Sequence, residues 1–376
     1  MAKQILITGG AGFIGSNLSI KLVGKGYTVT VLDNLLEQVH GGGPNPVLPA
    51  ALTGKVKFIK ADVRDKAAML EAVKQADIIV HMAAETGTGQ SMYETEKYID
   101  VNCRGTAVLL DILLNEKHNV RKVVLSSSRA VYGEGKYQNK QGRVIYPNSR
   151  SEEQLSIKNF EPVGDNNETI SALPTDEESR INPFSIYAAT KYNQEQYISI
   201  ACRAAGIPFV IFRYQNVYGP GQSLKNPYTG ILSIFSTQIK NGNAINIFED
   251  GLESRDFVFV DDVVNATTMG IENDAANNEI FNVGTGKAIT VLTVANTLAR
   301  LYQVKPEIKI TGQYRIGDIR HNYADITKIE RTLGFKPLID FDAGISKFTA
   351  WVSGQQIESD NYEKSIAELK NKGLLK

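Results

Sequence analysis

The sequence predicts an α/β fold in which a doubly wound parallel sheet is followed by a smaller C-terminal α+β domain. Short runs of β-branched residues alternate with helical stretches through the first half, and repeated βα units form parallel sheets. A chain of 376 residues is long enough for two packed domains. Its 41 basic and 41 acidic residues balance, so no global charge favours nucleic acid or a membrane surface.

The strands of the first half are expected at the apolar runs QILIT, TVTVLD, VKFIKAD, DIIVHMAA, KVVLSSS and FVIFRY. Helices are expected from about Phe13, near 66–75, near 92–115 and from Tyr187 to Gly206, a residue type that suits the end of a helix. This alternation predicts a first domain over residues 1–216.

A polar insertion at residues 132–182 interrupts the alternation. A structureless loop of about fifty residues is uncommon in a compact domain, where it is usually a lid or a disordered excursion. Because the insertion lies between two candidate catalytic segments, we expect a lid.

Residues 217–376 are expected to form the second domain. Its pattern is less regular, with a strand at AINIF, a helix after RDFVFVDDV and a last core helix near 343–352. The segment near 257–280 is expected to pack back on the first domain. The charged tail from Glu358 is expected to be only a surface helix.

The sequence carries no sign of export or of a membrane span. The opening MAKQILITGG enters a β-type run without the apolar segment and cleavage site of a signal peptide, and no apolar segment approaches the ~20 residues needed to cross a bilayer. Cys103 and Cys202 lie in separate helical segments without metal-ligand spacing. We therefore expect a cytoplasmic protein without a structural metal.

A glycine-rich turn lies between the first strand and the first helix. In LITGGAGFIGSNL, Gly9, Gly12 and Gly15 permit a tight turn and a close approach of the backbone to a pyrophosphate. The helix that begins near Phe13 and Ile14 offers unpaired N–H groups to that anion. The spacing predicts dinucleotide binding.

Asp33 ends the second strand, where a carboxylate accepts hydrogen bonds from ribose hydroxyls and repels a 2′-phosphate. This favours NAD over NADP, although Asp33 could instead cap a turn. The stretches ADVRD and HMAAETG end the third and fourth strands at the same sheet edge. The further residues expected to bind the cofactor are Asn34, Asp62, Val63, Met82, Ala83, Ala84, Thr86, Asn102, Ser126 and Tyr214.

Tyr187 and Lys191 lie four positions apart in PFSIYAATKYNQEQ, at the start of a predicted helix. This spacing puts the phenol and the ammonium on one helix face. Ser128 ends the strand KVVLSSS, at the same sheet edge as the glycine turn. Each signal alone has an ordinary explanation, a ring packed on a lysine stem or a serine in a turn. Their convergence indicates a catalytic site.

Ordered motifs cover nearly the whole chain. They are TGGAGFIG, HMAAETG, SSSRAVYG, YAATK, RYQNVYGPGQ and RDFVFVDDV. Together they resemble the extended short-chain dehydrogenase/reductase family, the NAD-dependent nucleotide-sugar epimerases and dehydratases. The resemblance implies a Rossmann-type NAD-binding domain and a nucleotide-sugar-binding domain. It also implies that Tyr187 is the acid/base, that Lys191 binds the nicotinamide ribose and lowers the Tyr187 pKa, and that Ser128 hydrogen-bonds the reacting hydroxyl.

The physical chemistry of a tyrosine base agrees with these roles. A free tyrosine has a pKa near 10, so a base that works near pH 7 needs about 4 kcal/mol of phenolate stabilisation. An ammonium about 4 Å away, at an effective dielectric constant near 20, supplies about that much. Burial alone raises the pKa of a phenol, so we expect Lys191 to be required.

The resemblance also implies substrate contacts. Arg255, in SRDFVFVDD, and Arg320, in GDIRHNYAD, are expected to hold a diphosphate through the planar donor fork of arginine. Asn216 is expected to reach the sugar or phosphate, with Thr86 and Ser128 also on the substrate. The resemblance therefore implies that the ligand is a nucleotide-diphosphate sugar, and the family leads us to expect a homodimer through the helices near 92–115 and 185–205.

Departures from two groups of relatives narrow the implied reaction. Family dehydratases place an acid just after the serine or threonine to expel the C6 hydroxyl, whereas Arg129 and Ala130 stand here. Neither can protonate a leaving hydroxyl at neutral pH. The cysteine of the 3,5-epimerising reductases is also absent from this region. The remaining possibility is chemistry at C4. The sugar is oxidised to a 4-keto sugar, rotates in the site, and takes the hydride back on its other face from tightly held NAD.

A finer resemblance, in HMAAETGTGQSMYE and YRIGDIRHNYADI, is to the dTDP-L-rhamnose 4-epimerase group. The alternatives within the family are a UDP-hexose 4-epimerase, a UDP-uronate decarboxylase and a 4-keto-sugar reductase. A non-catalytic NAD-binding regulator is the alternative that is not an enzyme, although such proteins usually lose the tyrosine, lysine or serine.

Overall fold

The helices and strands follow the predicted alternation through the first half of the chain. The computed structural model describes residues 3–41, 48–228, 230–356 and 358–376. The strands are β1 (Gln4–Thr8), β2 (Thr28–Asp33), β3 (Lys57–Lys60), β4 (Ile78–His81), β5 (Lys122–Ser128), β6 (Tyr137–Asn139), β7 (Val144–Ile145), β8 (Ile170–Ala172), β9 (Phe209–Tyr214), β10 (Asn216–Tyr218), β11 (Ile245–Ile247), β12 (Ser254–Arg255), β13 (Phe257–Phe259), β14 (Glu279–Val283), β15 (Ile289–Thr290), β16 (Ile308–Ile310) and β17 (His321–Asn322). The helices are α1 (Phe13–Gly24), α2 (Glu37–His40), α3 (Lys66–Lys74), α4 (Thr88–Ser91), α5 (Thr95–Ile99), α6 (Gly105–Asn115), α7 (Glu152–Ser156), α8 (Ile186–Ala205), α9 (Ile231–Lys240), α10 (Val260–Glu272), α11 (Val291–Leu301), α12 (Thr327–Leu333), α13 (Phe341–Ser353) and α14 (Tyr362–Asn371).

The main sheet has the spatial order β14-β9-β5-β4-β1-β2-β3, and every neighbouring pair is parallel. The strand order reverses between β1 and β4. Open α/β sheets bind ligands at such a switch point, beyond the carboxyl ends of the strands. The doubly wound parallel sheet predicted from the sequence is confirmed.

Both faces of the main sheet are buried, which explains the nearly continuous apolar runs of its strands. On one face, Leu6 and Ile79 pack with Ile198 of α8. On the other face, Val31 packs with Leu18 of α1 in a larger cluster. The helix α10 packs against α1, so the chain returns to the first domain after β13.

The single long helix expected near 92–115 is divided in the structure. A π-helical turn, Asp100–Arg104, separates α5 from α6. Its Asn102 accepts a hydrogen bond from the backbone N–H of Glu85 at 2.7 Å and donates to the hydroxyl of Thr190 at 2.9 Å. The wider turn thereby connects the loop after β4 to α8.

The insertion at 132–182 is folded and contains a small sheet. The strand β6 pairs antiparallel with both β7 and β8, and Tyr137 is buried with Ile145 and Ile170. Arg150 of the insertion forms a buried ion pair with Glu249 of the second domain at 2.8 Å. Strands of two or three residues are too short to show an alternating pattern, so the sequence indicates only a polar insertion here.

The second domain is built from short strand pairs and helices. The strand β10 pairs with β13, β11 with β16, and β12 with β15 and β17, while α11 packs against α9 and α13. The tail forms the helix α14, which exposes its charged face and buries Tyr362, Ile366 and Leu369 in a cluster with Phe248. In the described parts of the chain, no helix has both the length and the apolar character that a membrane span requires.

Candidate active site

A cleft of about 860 Å³ lies at the carboxyl ends of the central strands and continues into the second domain. Its walls are contributed by the glycine turn, by the ends of β2, β4, β5 and β9, and by α8, α9, β12 and α14. The cleft therefore starts at the switch point of the sheet, where a ligand site is expected.

The glycine turn excludes side chains from the floor of the cleft. A Cβ at Gly9, whose φ is +69°, would lie 2.7 Å from the backbone nitrogen of Ala83. A Cβ at Gly15 would lie 2.4 Å from the carbonyl oxygen of Gly9. Among the described residues, no side chain caps α1 at Gly12. The N–H groups of the first three residues of α1, at 13–15, are therefore free to bind an anion. This cradle fits a dinucleotide pyrophosphate.

Asp33 is held at the end of β2 by backbone donors. Its Oδ2 accepts from the N–H of Ala11 at 3.1 Å, and its Oδ1 from the N–H of Leu35 at 2.9 Å. His40, which the sequence analysis missed, lies with Nε2 3.7 Å from Oδ1. Burial lowers the pKa of His40, so the imidazole is neutral at pH 7. Asp33 is therefore fixed in a position that suits ribose hydroxyls and does not suit a 2′-phosphate.

Most of the residues predicted to bind the cofactor line this cleft. Besides the glycines and Asp33, they are Phe13, Ile14, Asn34, Asp62, Val63, Met82, Ala83, Ala84, Thr86, Ser126 and Tyr214. Asn102 does not line the cleft, because it is buried and its amide group is hydrogen-bonded to Glu85 and Thr190. It fixes the loop after β4, and its predicted contact with a cofactor stays a prediction.

The helix α8 carries Tyr187 and Lys191 to the cleft. Ser185 caps this helix, and its Oγ accepts from the N–H of Ala188 at 3.1 Å, so Tyr187 lies in the first turn and Lys191 in the next. Ser128, the last residue of β5, lines the cleft with them. The structure brings together the three side chains that the sequence analysis selected.

The electrostatics around Tyr187 differ from the expectation. Burial raises the pKa of Tyr187, while the Ser128 hydroxyl and the Arg129 guanidinium lower it in part. Burial also lowers the pKa of Lys191 to about 8, with Glu195 opposing. The cation that lowers the pKa of the phenol is therefore Arg129.

Arg129 directly follows Ser128 and lines the cleft beside Tyr187. Burial, and then the neighbouring Arg255 guanidinium, lower the pKa of Arg129. An arginine nevertheless keeps its charge at neutral pH. The site therefore contains a cation that favours the phenolate form of Tyr187 before any ligand binds.

Arg255 and Arg315 form a cationic wall around one carboxylate. Arg255 Nη2 donates to Asp318 Oδ1 at 3.2 Å, and Arg315 Nη2 donates to Asp318 Oδ2 at 2.6 Å. Burial opposes the charge of Asp318, but Arg315 and Arg255 hold its pKa well below its usual range. Two guanidinium groups and one carboxylate leave a net positive charge that suits a diphosphate.

Arg320, which was expected to hold the diphosphate, does not line the cleft. Its side chain is 1 % exposed and pairs with Glu161 at 2.7 Å, with Glu249 at 2.9 Å and with Asp250 at 2.7 Å. These carboxylates occupy its donors, so it joins the insertion to the second domain. The arginine that lines the cleft is Arg315, the other one in RIGDIR, which the sequence analysis missed.

Three amide side chains in the cleft have buried atoms without a hydrogen-bond partner within the described residues, and they are Gln215, Asn216 and Gln222. Gln215 Nε2 and Oε1 and Asn216 Oδ1 are buried without a hydrogen bond, and both residues line the cleft. A buried polar group without a partner costs about 1–3 kcal/mol. These atoms are therefore positioned to bind a polar ligand. Gln215, which precedes the predicted Asn216, is an addition to the site.

The insertion does not line the cleft, whereas the C-terminal tail does. None of the residues 132–182, all of which the structure describes, lines the cleft, and the lid role of the insertion stays a prediction. The tail helix α14 does line the cleft, through Tyr362, Ser365, Ile366 and Leu369.

Comparison with known proteins agrees with this geometry. The model of the NAD dependent epimerase/dehydratase family matches residues 5–152 and 160–284. A dTDP-L-rhamnose 4-epimerase of Burkholderia thailandensis is 38 % identical over 362 residues, which cover 96 % of this chain and 97 % of that protein.

Solved structures give the same result. The UDP-glucose 4-epimerase of Thermotoga maritima, solved with UDP-glucose, superimposes with a TM-score of 0.75 at 29 % identity, covering 93 % of this chain and 98 % of that one. The UDP-glucose 4-epimerase of Thermus thermophilus, solved with NAD, superimposes with a TM-score of 0.74 at 26 % identity, covering 94 % and 100 %.

Proposed function

We propose that this chain, which belongs to the NAD dependent epimerase/dehydratase family, is a nucleotide-sugar 4-epimerase that acts through transient oxidation at C4. The observation that carries the proposal is the meeting of Ser128, Tyr187 and Lys191 in one cleft, with Arg129 and Ala130 where a dehydratase would need an acid. The site can therefore exchange a proton with a sugar hydroxyl, but it lacks the adjacent acid for expelling one.

The proton is handled by Tyr187 and its neighbours. Tyr187 Oη accepts the proton of the C4 hydroxyl. It returns the proton after the 4-keto sugar has rotated to present its opposite face. Ser128 hydrogen-bonds the same oxygen, and the charge of Arg129 favours the phenolate. When bound, NAD supplies the hydride acceptor for C4 and the source of its return. Because the hydride comes back, net oxidation is zero and NAD is not consumed.

The nucleotide part of the substrate is assigned to the cationic wall. Arg255 and Arg315 are placed to bind the diphosphate, and Gln215 and Asn216 offer polar atoms to the sugar or phosphate. Guided by the Burkholderia relative, we propose a dTDP-6-deoxyhexose such as dTDP-L-rhamnose as substrate. A UDP-hexose is the second candidate, supported by the Thermotoga structure with UDP-glucose.

A substrate panel tests this function. The purified protein is incubated with dTDP-, UDP- and GDP-hexoses and with a UDP-uronate, without added cofactor, and products are separated by chromatography. We expect a C4 epimer from a dTDP- or UDP-hexose. Stoichiometric NADH consumption would instead identify a reductase, and release of CO₂ a decarboxylase. Bound NAD without turnover of any sugar would favour a regulator.

We also propose that the enzyme is a homodimer and works in the cytoplasm, where NAD and nucleotide sugars are available. Ile99 on α5 and Tyr197 and Ile200 on α8 are large apolar side chains that are 46 %, 40 % and 64 % exposed. Such a patch on two adjacent helices suits a second copy of the chain. Sedimentation velocity tests this, with Ile200→Glu expected to give monomers. A monomeric wild-type protein would refute the dimer.

A further inference from the structure

The C-terminal helix α14 forms part of the cleft although its sequence is strongly charged. Its mostly apolar face, Tyr362, Ser365, Ile366 and Leu369, is buried and lines the cleft, while Glu363, Lys364 and Ala367 on the other side are exposed. The spacing of these buried positions is that of one helix face.

The apolar face of α14 lies next to the cationic wall of Arg255 and Arg315. It shares a cluster with Ile234 of α9 and with Phe248, which follows β11. The Arg315 guanidinium lies over the Phe248 ring, 5.1 Å from its centroid. The cationic wall and the α14 cluster are therefore adjacent. An apolar surface next to a site that suits a diphosphate also suits the base and ribose of a nucleotide.

Glu368 holds α14 in place from outside the cleft. Its Oε2 accepts hydrogen bonds from the phenols of Tyr93 at 3.0 Å and Tyr228 at 2.5 Å. Tyr93 belongs to the first domain and Tyr228 to the second, so one carboxylate connects both to the tail. Burial and Glu368 raise the pKa of Tyr228 to about 12, so this phenol remains a donor at neutral pH.

The end of the tail also supports the phosphate-binding segment. The backbone of Lys376 donates to the carbonyl of Tyr314 at 3.0 Å and accepts from its N–H at 2.8 Å, and the N–H of Ile316 donates to Leu374 at 3.0 Å. These bonds flank Arg315 on both sides. The tail and the diphosphate arginine are therefore parts of one unit.

We infer that α14 is a substrate-binding element that contacts the nucleoside of the nucleotide sugar, and that the Glu368 bonds to Tyr93 and Tyr228 keep it closed over that nucleoside. The inference rests on the proposed nucleotide-sugar substrate and adds the part of the site that recognises its nucleoside. Ile366 supplies apolar contact, and Glu368 acts as a positioning residue.

Calorimetric binding of dTDP and UDP to the full-length, NAD-containing protein tests the inference without relying on turnover. Ile366→Ser is compared with Ala367→Ser, its exposed neighbour, and Glu368→Ala with Lys364→Ala on the exposed face. We expect Ile366→Ser to weaken dTDP binding about fivefold to tenfold, Glu368→Ala to weaken it at least about threefold, and both controls to bind like the wild type.

Inorganic pyrophosphate is the second probe, because it reaches the arginines but has no nucleoside. We expect its affinity to be unchanged in Ile366→Ser. Equal losses for dTDP and pyrophosphate would show that the tail acts only through Arg315 and would overturn the nucleoside contact. Unchanged dTDP binding in both Ile366→Ser and Glu368→Ala would overturn the inference while leaving the proposed function intact. A wild-type protein that binds neither dTDP nor UDP would overturn both.

Discussion

Arg315 donates both Nε and Nη2 to the same oxygen of Asp318, at 3.1 and 2.6 Å. Arg255 takes the other oxygen of that carboxylate. The fork of Arg315 is thus oriented by one partner while the wall as a whole keeps a net positive charge. A diphosphate that binds there meets guanidinium groups already fixed in place, which lowers the entropic cost of binding.

The two arginines of RIGDIR should therefore differ in what their loss does. Replacing Arg315 with Met removes a ligand of the diphosphate, so we expect KM for the nucleotide sugar to rise at least about tenfold. The unfolding midpoint and the NAD content should change little, because Asp318 keeps Arg255 as a partner. Steady-state kinetics and thermal unfolding check this together.

Arg320→Met is the matched control and should show the opposite pattern. It leaves buried Glu249 without that partner and exposes Asp250 and Glu161 to one another. We expect a loss of stability of roughly 3–5 kcal/mol in urea unfolding, with KM close to the wild-type value. A large rise in KM for Arg320→Met with an unchanged stability would return Arg320 to the substrate site.

Gly15 and Gly24 offer a matched pair for the cofactor site. A Cβ at Gly15 would lie 2.4 Å from the backbone oxygen of Gly9, whereas a Cβ at Gly24, at the end of the same helix, meets no atom within 4 Å. We expect Gly15→Ala to be purified without NAD and without activity, and Gly24→Ala to keep both. The absorbance of cofactor released on denaturation measures this. Full NAD content in Gly15→Ala would refute the cradle.

The buried charge of Lys191 should lower the free energy of unfolding, although the reaction requires this residue. Burial lowers its pKa from 10.5 to about 8, which corresponds to a cost of at most about 3 kcal/mol while the buried group is charged. We expect Lys191→Met to abolish turnover yet to raise the unfolding free energy of the NAD-free protein at pH 7.

The lowered pKa of Lys191 determines how the stability difference between Lys191→Met and the wild type changes with pH. Below about pH 8 the ammonium of Lys191 is charged in both the folded and the unfolded state, so the full cost applies. Between about pH 8 and 10.5 only the unfolded state holds the proton, and the wild type gains stability as pH rises. The advantage of Lys191→Met should shrink across this window, and an advantage that grows there would contradict the assignment.

Arg129 should shift the pH profile of the enzyme. Its charge lowers the pKa of Tyr187 against the effect of burial. In Arg129→Ala the acidic limb of kcat/KM should therefore move to higher pH, because the phenol loses its proton later. Arg129→Lys should restore part of the shift, since it keeps the charge. A limb that stays in place or moves to lower pH would show that Arg129 does not act on Tyr187.

The sequence predicts the residues whose roles are local. Gly9 and Gly15 follow from the order of strand, turn and helix, and Tyr187 and Lys191 follow from a one-turn spacing on α8. Ser128 joins them because parallel strands end at one edge of the sheet. For these positions, short-range geometry determines where the side chain lies.

Residues that depend on long-range packing are harder to predict. Arg315 and Arg320 lie five positions apart, and only the packing of the insertion shows that Arg320 is enclosed by carboxylates while Arg315 reaches the cleft. The tail did carry a usable signal, because Tyr362, Ile366 and Leu369 repeat at the spacing of one helix face. The many charged residues between these positions made the apolar spacing less apparent.

The most direct test of the central claim follows the hydrogen at C4 by proton NMR, with the purified protein and dTDP-L-rhamnose or its C4 epimer in D₂O and no added cofactor. Internal hydride return predicts inversion at C4 with no deuterium incorporated at carbon. Deuterium at C3 or C5, or a need for added NADH, would contradict transient oxidation at C4 within a closed cycle.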